Sequence, residues 1–138
     1  MKIEFFVPGT PKGQPRPRAF SRGGKASVYD PGTAEGWKGC IALAARQYVP
    51  STPIDDPVSL DLQFVMPRPK YLSRKKDPDG RIWHTGKPDR DNLDKAVLDT
   101  LTQIGMWRDD AQVVRGTITK MYAAKGEIPG VHIELETL

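Results

Sequence analysis

The 138-residue sequence predicts a single α+β domain, a mixed β-sheet with two helices packed on it. Three observations carry that prediction. Residues 58–66 place Val58, Leu60, Leu62, Phe64 and Met66 on one face and Ser59, Asp61, Gln63 and Val65 on the other, the period of a half-buried strand. Between residues 91 and 104, Leu93, Val97, Leu101 and Ile104 recur at helical spacing and form one apolar stripe. Strand-like runs stand at both ends of the chain, so strands and helices share one core. The length suits one hydrophobic core and is short for two, and residues 1–138 are read as one unit.

Residues 2–7 alternate and are rich in aromatic and β-branched side chains, a strand that Pro8 closes. From Gly9 to Gly24, prolines, glycines and arginines resist regular structure, which leaves Arg16, Arg18, Arg22 and Lys25 on an extended, solvated loop suited to gripping phosphates. Asp30 before Pro31 marks a helix start, because Asp caps free amides and Pro tolerates the first helical position. Trp37, Ile41 and Ala44 then recur at helical spacing to about Tyr48, against a cost of about 1 kcal/mol for each of Gly32, Gly36 and Gly39. Residues 50–57 connect this helix to the strand at 58–66. Residues 67–88 hold Arg68, Lys70, Arg74, Lys75, Lys76 and Arg81 among prolines and glycines; too long for an ordinary connection, they are expected to be mobile or functional and to order on nucleic acid. The second helix follows from Asp91 to about Ile104, with Gly105 as its stop and with Asp91, Lys95 and Asp99 on the face opposite its stripe. Residues 113–123 and 131–136 complete the chain as two strands around a turn at 125–130, expected to form a hairpin.

Charge is unevenly placed. The net charge is +4, yet residues 1–50 carry eight Lys/Arg against three acids, and residues 89–138 carry six against nine. A basic body around an acidic pocket suits a phosphate-rich substrate: the body attracts the polymer and the pocket holds divalent cations. Cys40 is the only cysteine, which excludes an internal disulfide. Residues 1–7 are too short to span a bilayer and carry no signal-peptide cleavage pattern, so a cytoplasmic protein without a membrane partner is the simplest expectation.

The chemistry gathers between Lys87 and Gln112. Asp89 and Asp91 stand two apart where an extended backbone enters a helix, a geometry that points both side chains the same way. Asp110 joins them if the chain turns back after Gly105. Hydrolysing a phosphodiester needs a strong nucleophile and a counter-charge for a crowded, negative transition state, and Mg²⁺ or Mn²⁺ held by carboxylates supplies both. Such clustered carboxylates repel one another unless a cation sits among them. Lys95, one turn after Asp91, either pairs with it or reaches a phosphate oxygen. Spacing alone equally allows a plainer reading, in which Asp89 or Asp91 caps the helix and Asp109-Asp110 is a polar turn.

Other motifs carry less. Cys40, His84 and His132 are too scattered for a zinc site. Ala19 and Ala26 stand where a phosphate loop needs Gly and Ser/Thr, and Asp77-Pro-Asp79-Gly80 lacks calcium-loop spacing. His84 lies in the basic loop and reads as a solvated histidine or, second, as a phosphate contact. Trp37 reads as helix packing and Trp107 as the anchor of the Asp109-Asp110 turn. Trp83, an aromatic among cations, is placed to stack on a base or wedge into a junction.

The run Lys-Pro-Asp-Arg-Asp-Asn-Leu-Asp-Lys-Ala-Val-Leu-Asp, followed by Gly-Met-Trp-Arg-Asp-Asp-Ala-Gln-Val, resembles the signature of the RusA family of Holliday-junction resolvases. The signature spans about a fifth of the chain, and its combined pattern is specific. The resemblance implies a Mg²⁺-dependent endonuclease, with Mn²⁺ able to substitute, that nicks four-way DNA junctions as a homodimer. Position by position, it implies metal-binding aspartates at Asp89, Asp91 and Asp110 and a catalytic lysine at Lys95. Arg16, Arg18, Arg22, Lys25, Lys75, Lys76 and Lys87 are expected to hold the DNA backbone. Asp109 is a weaker candidate that shapes the turn. Arg90 departs from the more usual apolar residue between the paired aspartates, and residues 67–88 are longer than the link in the shorter cellular relatives. Two rivals remain: a non-catalytic nucleic-acid-binding module whose acids are structural, and a metal-dependent phosphohydrolase of small phosphate esters, which would need neither the arginine loop nor a dimer.

Overall fold

The computed structural model describes residues 1–14, 18–22, 25–29 and 34–138, with side chains in the first and last of these stretches. In chain order the elements are β1 (Lys2–Pro8), β2 (Arg18–Arg22), β3 (Lys25–Tyr29), α1 (Glu35–Ala45), β4 (Val58–Met66), β5 (Ile82–Trp83), α2 (Arg90–Gln103), β6 (Val113–Arg115), β7 (Ile118–Tyr122) and β8 (Gly130–Thr137). The main sheet is mixed, in the order β1-β8-β4-β7-β5, with β6 also on β4. β8 runs antiparallel to β1 and β4, whereas β6 and β7 run parallel to β4.

β4 fulfils its alternation and goes further, since Ser59 and Val65 on its other face are buried as well. That burial explains the main correction to the expected topology. β7 and β8 do not form a hairpin; they lie on opposite sides of β4. A direct β7–β8 pairing would leave an edge of this apolar strand with unpaired amides and carbonyls, whereas two partners satisfy both edges. The strand expected over 113–123 is also two strands. At Gly116 the backbone lies against β4, where a Cβ would stand only 1.7 Å from the Leu60 carbonyl oxygen, and the chain jogs past this point.

Both helices supply the core on one face of the sheet. Trp37, Ile41 and Ala45 of α1 meet Leu93, Ala96, Val97 and Leu101 of α2 above Ile3, Val7, Leu60, Leu62, Phe64, Ile133 and Leu135. Each fully buried Leu, Ile or Phe here stabilises the fold by about 1.5–3 kcal/mol. The apolar stripe read in α2 is therefore its buried face, with Ile104 partly covered. Gly105 (φ 85°) ends that helix: the Met106 amide donates back to Leu101 and the Gly105 amide to Thr102. The expected start of the first helix at Asp30-Pro31 falls outside the described residues, as does Arg16; α1 begins at Glu35, and its α-helical part gives way to a 3-10 turn at Arg46–Tyr48.

Two expectations about basic loops are corrected. Arg18–Arg22 and Lys25–Tyr29 form an antiparallel pair, β2 with β3, registered from Arg18↔Tyr29 to Arg22↔Lys25. The prolines that argued for a loop stop at Pro17, and nothing in Arg18–Arg22 or Lys25–Tyr29 forbids a ladder. Residues 67–88 are tied down without nucleic acid. Arg68 donates to the Leu72, Pro78, Gly80 and Ala123 carbonyls, Lys125 to those of Arg74 and Asp77, and Arg81 pairs with Glu127. Among the described residues no helix is long and apolar enough to cross a membrane.

Candidate active site

The site is built around the head of α2. Asp89 takes the N-cap position with extended backbone (φ −69°, ψ 153°), and its main-chain carbonyl receives the Leu93 amide at 3.1 Å. Its side chain makes no capping hydrogen bond. The carboxylate is therefore not consumed by the helix end, which removes the plain capping explanation for Asp89. Among the described residues, exposed Lys87 approaches it, at 3.1 Å. Helical spacing then sets Asp91, Asp94 and Lys95 on neighbouring positions, three and four residues apart. Lys95 donates to Asp99 at 3.0 Å rather than to Asp91.

Asp110 reaches this face through a turn with its own internal logic. Trp107 is 1% exposed and donates its indole N–H to Thr102 Oγ1 at 2.7 Å, anchoring the chain to the end of α2. Ile54 pairs alongside, donating its amide to Met106 and accepting from Arg108. In the 3-10 turn Asp110–Gln112, Asp109 Oδ1 accepts from the Ala111 amide at 2.9 Å, and Gln112 Oε1 accepts from the Arg108 and Asp109 amides. The Gln112 amide group then donates to the Ile54 and Asp56 carbonyls. Asp109 is thus the aspartate that acts as a cap, and Gln112 is the staple that fixes the turn. Asp110 takes no part in that capping.

The remaining acids feel one another. The Asp110 carboxyl is pushed above the usual carboxylate range by partial desolvation, then by Asp109 and Asp99, with Lys95 opposing. Asp94 is pushed up by burial first and then by Asp110 and Asp91, with Arg90 opposing. Asp91, Asp94, Asp99, Asp110 and Lys95 therefore share one electrostatic neighbourhood. Among the described residues, no three Asp, Glu, His or Cys side chains close around a single point to hold a metal ion. In chemistry the donor set fits Mg²⁺ or Mn²⁺: hard carboxylate oxygens, crowded enough that a cation would relieve their repulsion.

Gln14 joins the N-terminal arm to this site. Its amide donates to the Asn92 carbonyl at 2.9 Å, and a Cβ at Gly13 would stand 3.0 Å from Asn92 Cβ and 3.1 Å from Pro88 Cβ. The chain is thus held at the head of α2 at Gln14, four residues before β2, which with β3 carries Arg18, Arg22 and Lys25. Lys75 and Lys76 are exposed, and Trp83 on β5 is 66% exposed. His84, expected in solvent, is buried edge-on against Tyr122 at 4.7 Å, with Nδ1 lacking a hydrogen-bond partner. Reading the sequence missed Asp94, Gln112 and Gln14 as parts of the site. Asp94 was within reach of helical periodicity, three residues after Asp91; Gln14 gave no local signal.

A family model described as Endodeoxyribonuclease RusA matches residues 8–136. The uncharacterized protein YqaN of Bacillus subtilis is 37% identical over 131 residues, covering 91% of this chain and 92% of its own. The crossover junction endodeoxyribonuclease RusA of Escherichia coli K12 is 43% identical over 67 residues, 49% of this chain and 51% of that protein. The enzyme of the same description from Enterobacteria phage 82 matches to the same extent.

Proposed function

Because the chain belongs to the RusA endodeoxyribonuclease family, we propose that it resolves Holliday junctions and related branched DNA by paired phosphodiester nicks, using Mg²⁺ or, in its place, Mn²⁺. The observation that carries this reading is the arrival of Asp110 beside the acids of α2, on a turn whose own capping is done by Asp109 and Gln112. A binding module with purely structural acids has no use for Asp89 and Asp110 carboxylates that the backbone does not employ.

Asp89, Asp91 and Asp110 are proposed to hold the metal. When bound, the cation would supply an activated water and a counter-charge for the crowded, pentacoordinate phosphorus of the transition state. Lys95 releases Asp99 and donates to a non-bridging phosphate oxygen as negative charge builds there. Arg90 lowers the cost of ionising Asp94 beside the other acids. Arg16, Arg18, Arg22, Lys25, Lys75, Lys76 and Lys87 are proposed to hold backbone phosphates and set the register of the junction. Trp83 offers an exposed ring for an unstacked base. Such a protein is proposed to work in the cytoplasm, where its DNA substrate is.

The test is a synthetic four-way junction incubated with and without Mg²⁺ or Mn²⁺. The wild type is expected to nick two strands, and Asp91→Asn to lower turnover by about 10³-fold or more while junction affinity in EDTA stays within about threefold. Wild type that binds but never nicks assigns the chain to the non-catalytic rival. Hydrolysis of nucleotides unaffected by added junction assigns it to the small-ester rival.

A further inference from the structure

Lys120 is a half-buried lysine whose ammonium is spent on main-chain carbonyls. It lies on β7 between Ile118 and Tyr122, both packed against the core, and opposite fully buried Phe64 of β4. Strand alternation sends its stem toward the same face as theirs, beneath the helices, where an ammonium needs partners. Its Nζ donates to two main-chain carbonyls, Gly86 and Pro88, at 2.8 Å each. In return the His84 amide donates to the Lys120 carbonyl at 3.2 Å. The two accepting carbonyls bracket Pro88, and the second belongs to the peptide that enters Asp89. From the other side, Gly13 closes on Pro88.

With no cap bond on the Asp89 side chain and, among the described residues, an exposed lysine as its one charged partner, the main chain of residues 86–89 determines where that carboxylate points. Resting on the metal reading above, we propose that Lys120 is a positioning residue: by clamping Gly86 and Pro88 to β7 it aims Asp89, and Asp91 two residues on, at the cation. The ammonium does this through main-chain carbonyls, a role closer to that of an outer partner of a metal ligand than to contact with substrate.

Lys120→Met keeps the stem and removes the donors, while Lys120→Arg retains donors. Mn²⁺ binding to the full chain without DNA is read by titration calorimetry, with the melting temperature recorded on the same samples. Ile41→Val serves as a control that loosens the core on α1. Lys120→Met is expected to bind Mn²⁺ about 10–100-fold more weakly than wild type, with Lys120→Arg restoring affinity to within about threefold and Ile41→Val leaving it unchanged. The Mn²⁺ concentration needed for nicking rises in parallel, with the KM for junction unchanged. Folded Lys120→Met with wild-type Mn²⁺ affinity overturns the proposal, as does Ile41→Val weakening Mn²⁺ equally. If Lys120→Met does not fold, Lys120→Gln takes its place, and wild-type affinity there overturns the proposal in the same way. Wild type that takes up no Mn²⁺ overturns it together with the metal reading; uptake without nicking defeats the nuclease reading alone.

Discussion

A carboxylate that accepts a free amide at a helix end contributes about 1 kcal/mol, and Asp109 is used in that way, with Gln112 completing the box and reaching back to residues 54 and 56. Its neighbour Asp110 is held in the field of Asp99 and Asp109 instead. The two substitutions should therefore separate. Asp109→Ala is expected to lower stability by about 1 kcal/mol in urea unfolding, with Mn²⁺ binding weakened only as far as the turn loosens. Asp110→Asn removes a carboxyl whose ionisation the fold disfavours, so in EDTA its melting temperature should not fall, while Mn²⁺ uptake and nicking are lost. A large stability loss in Asp110→Asn with metal binding intact would reverse the assignment of the pair.

Among the elements, Arg81 and Glu127 tie the 67–88 connection to the segment between β7 and β8. Arg81 Nε and Nη2 both donate to the Glu127 carboxylate, which also accepts from the Ala124 amide, and the Glu127 pKa is lowered to about 2, chiefly by Arg81. A depressed carboxyl pKa contributes stability that is fully present above the unfolded value, 4.5, and is lost as pH falls toward 2. Glu127→Gln is therefore expected to cost about 2 kcal/mol at pH 7, and its deficit against wild type should shrink steadily below pH 4.5 in denaturant titrations. A deficit independent of pH would mean that packing, not the ion pair, holds the connection. This clamp also shows why part of the fold was hidden from sequence. β4 and α2 were legible because their patterns are self-contained: alternation over Val58–Met66 and a four-residue stripe from Leu93 to Ile104. The insertion of β8 between β1 and β4 was not, because strand choice depends on which edges remain open after folding, and Lys125–Gly130 looks the same in a hairpin as in a longer return. The 67–88 connection read as a mobile basic loop because the partners that fix Arg68 and Arg81 lie as far as 55 and 46 residues away. Asp109, Asp110 and Gln112 were legible as a motif, but only the turn geometry divided their labour.

For the whole molecule the decisive quantity is where charge sits relative to the site. The chain at Gln14 is held at Asn92 just before the stretch that carries Arg18, Arg22 and Lys25, and Lys75-Lys76 lies on the connection that enters α2, so basic stretches adjoin the acidic segment along the chain on both sides. Each phosphate neutralised releases condensed counterions, and log affinity falls with log salt by about 0.9 per contact on duplex DNA. Lys75→Ala and Lys76→Ala should each reduce that slope by about 1 in junction-binding titrations while leaving Mn²⁺ affinity unchanged. A four-way junction presents equivalent strands around an approximate dyad, and the described residues of one chain gather one such acidic cluster. Paired nicks then require two chains, most simply a closed homodimer. Sedimentation of the protein with excess junction is expected to give two chains per junction, and mixing wild type with Asp91→Asn should accumulate singly nicked product. Monomers at every concentration, free and bound, would leave each chain to nick alone, and the proposed resolution of a junction in one encounter would fail with them.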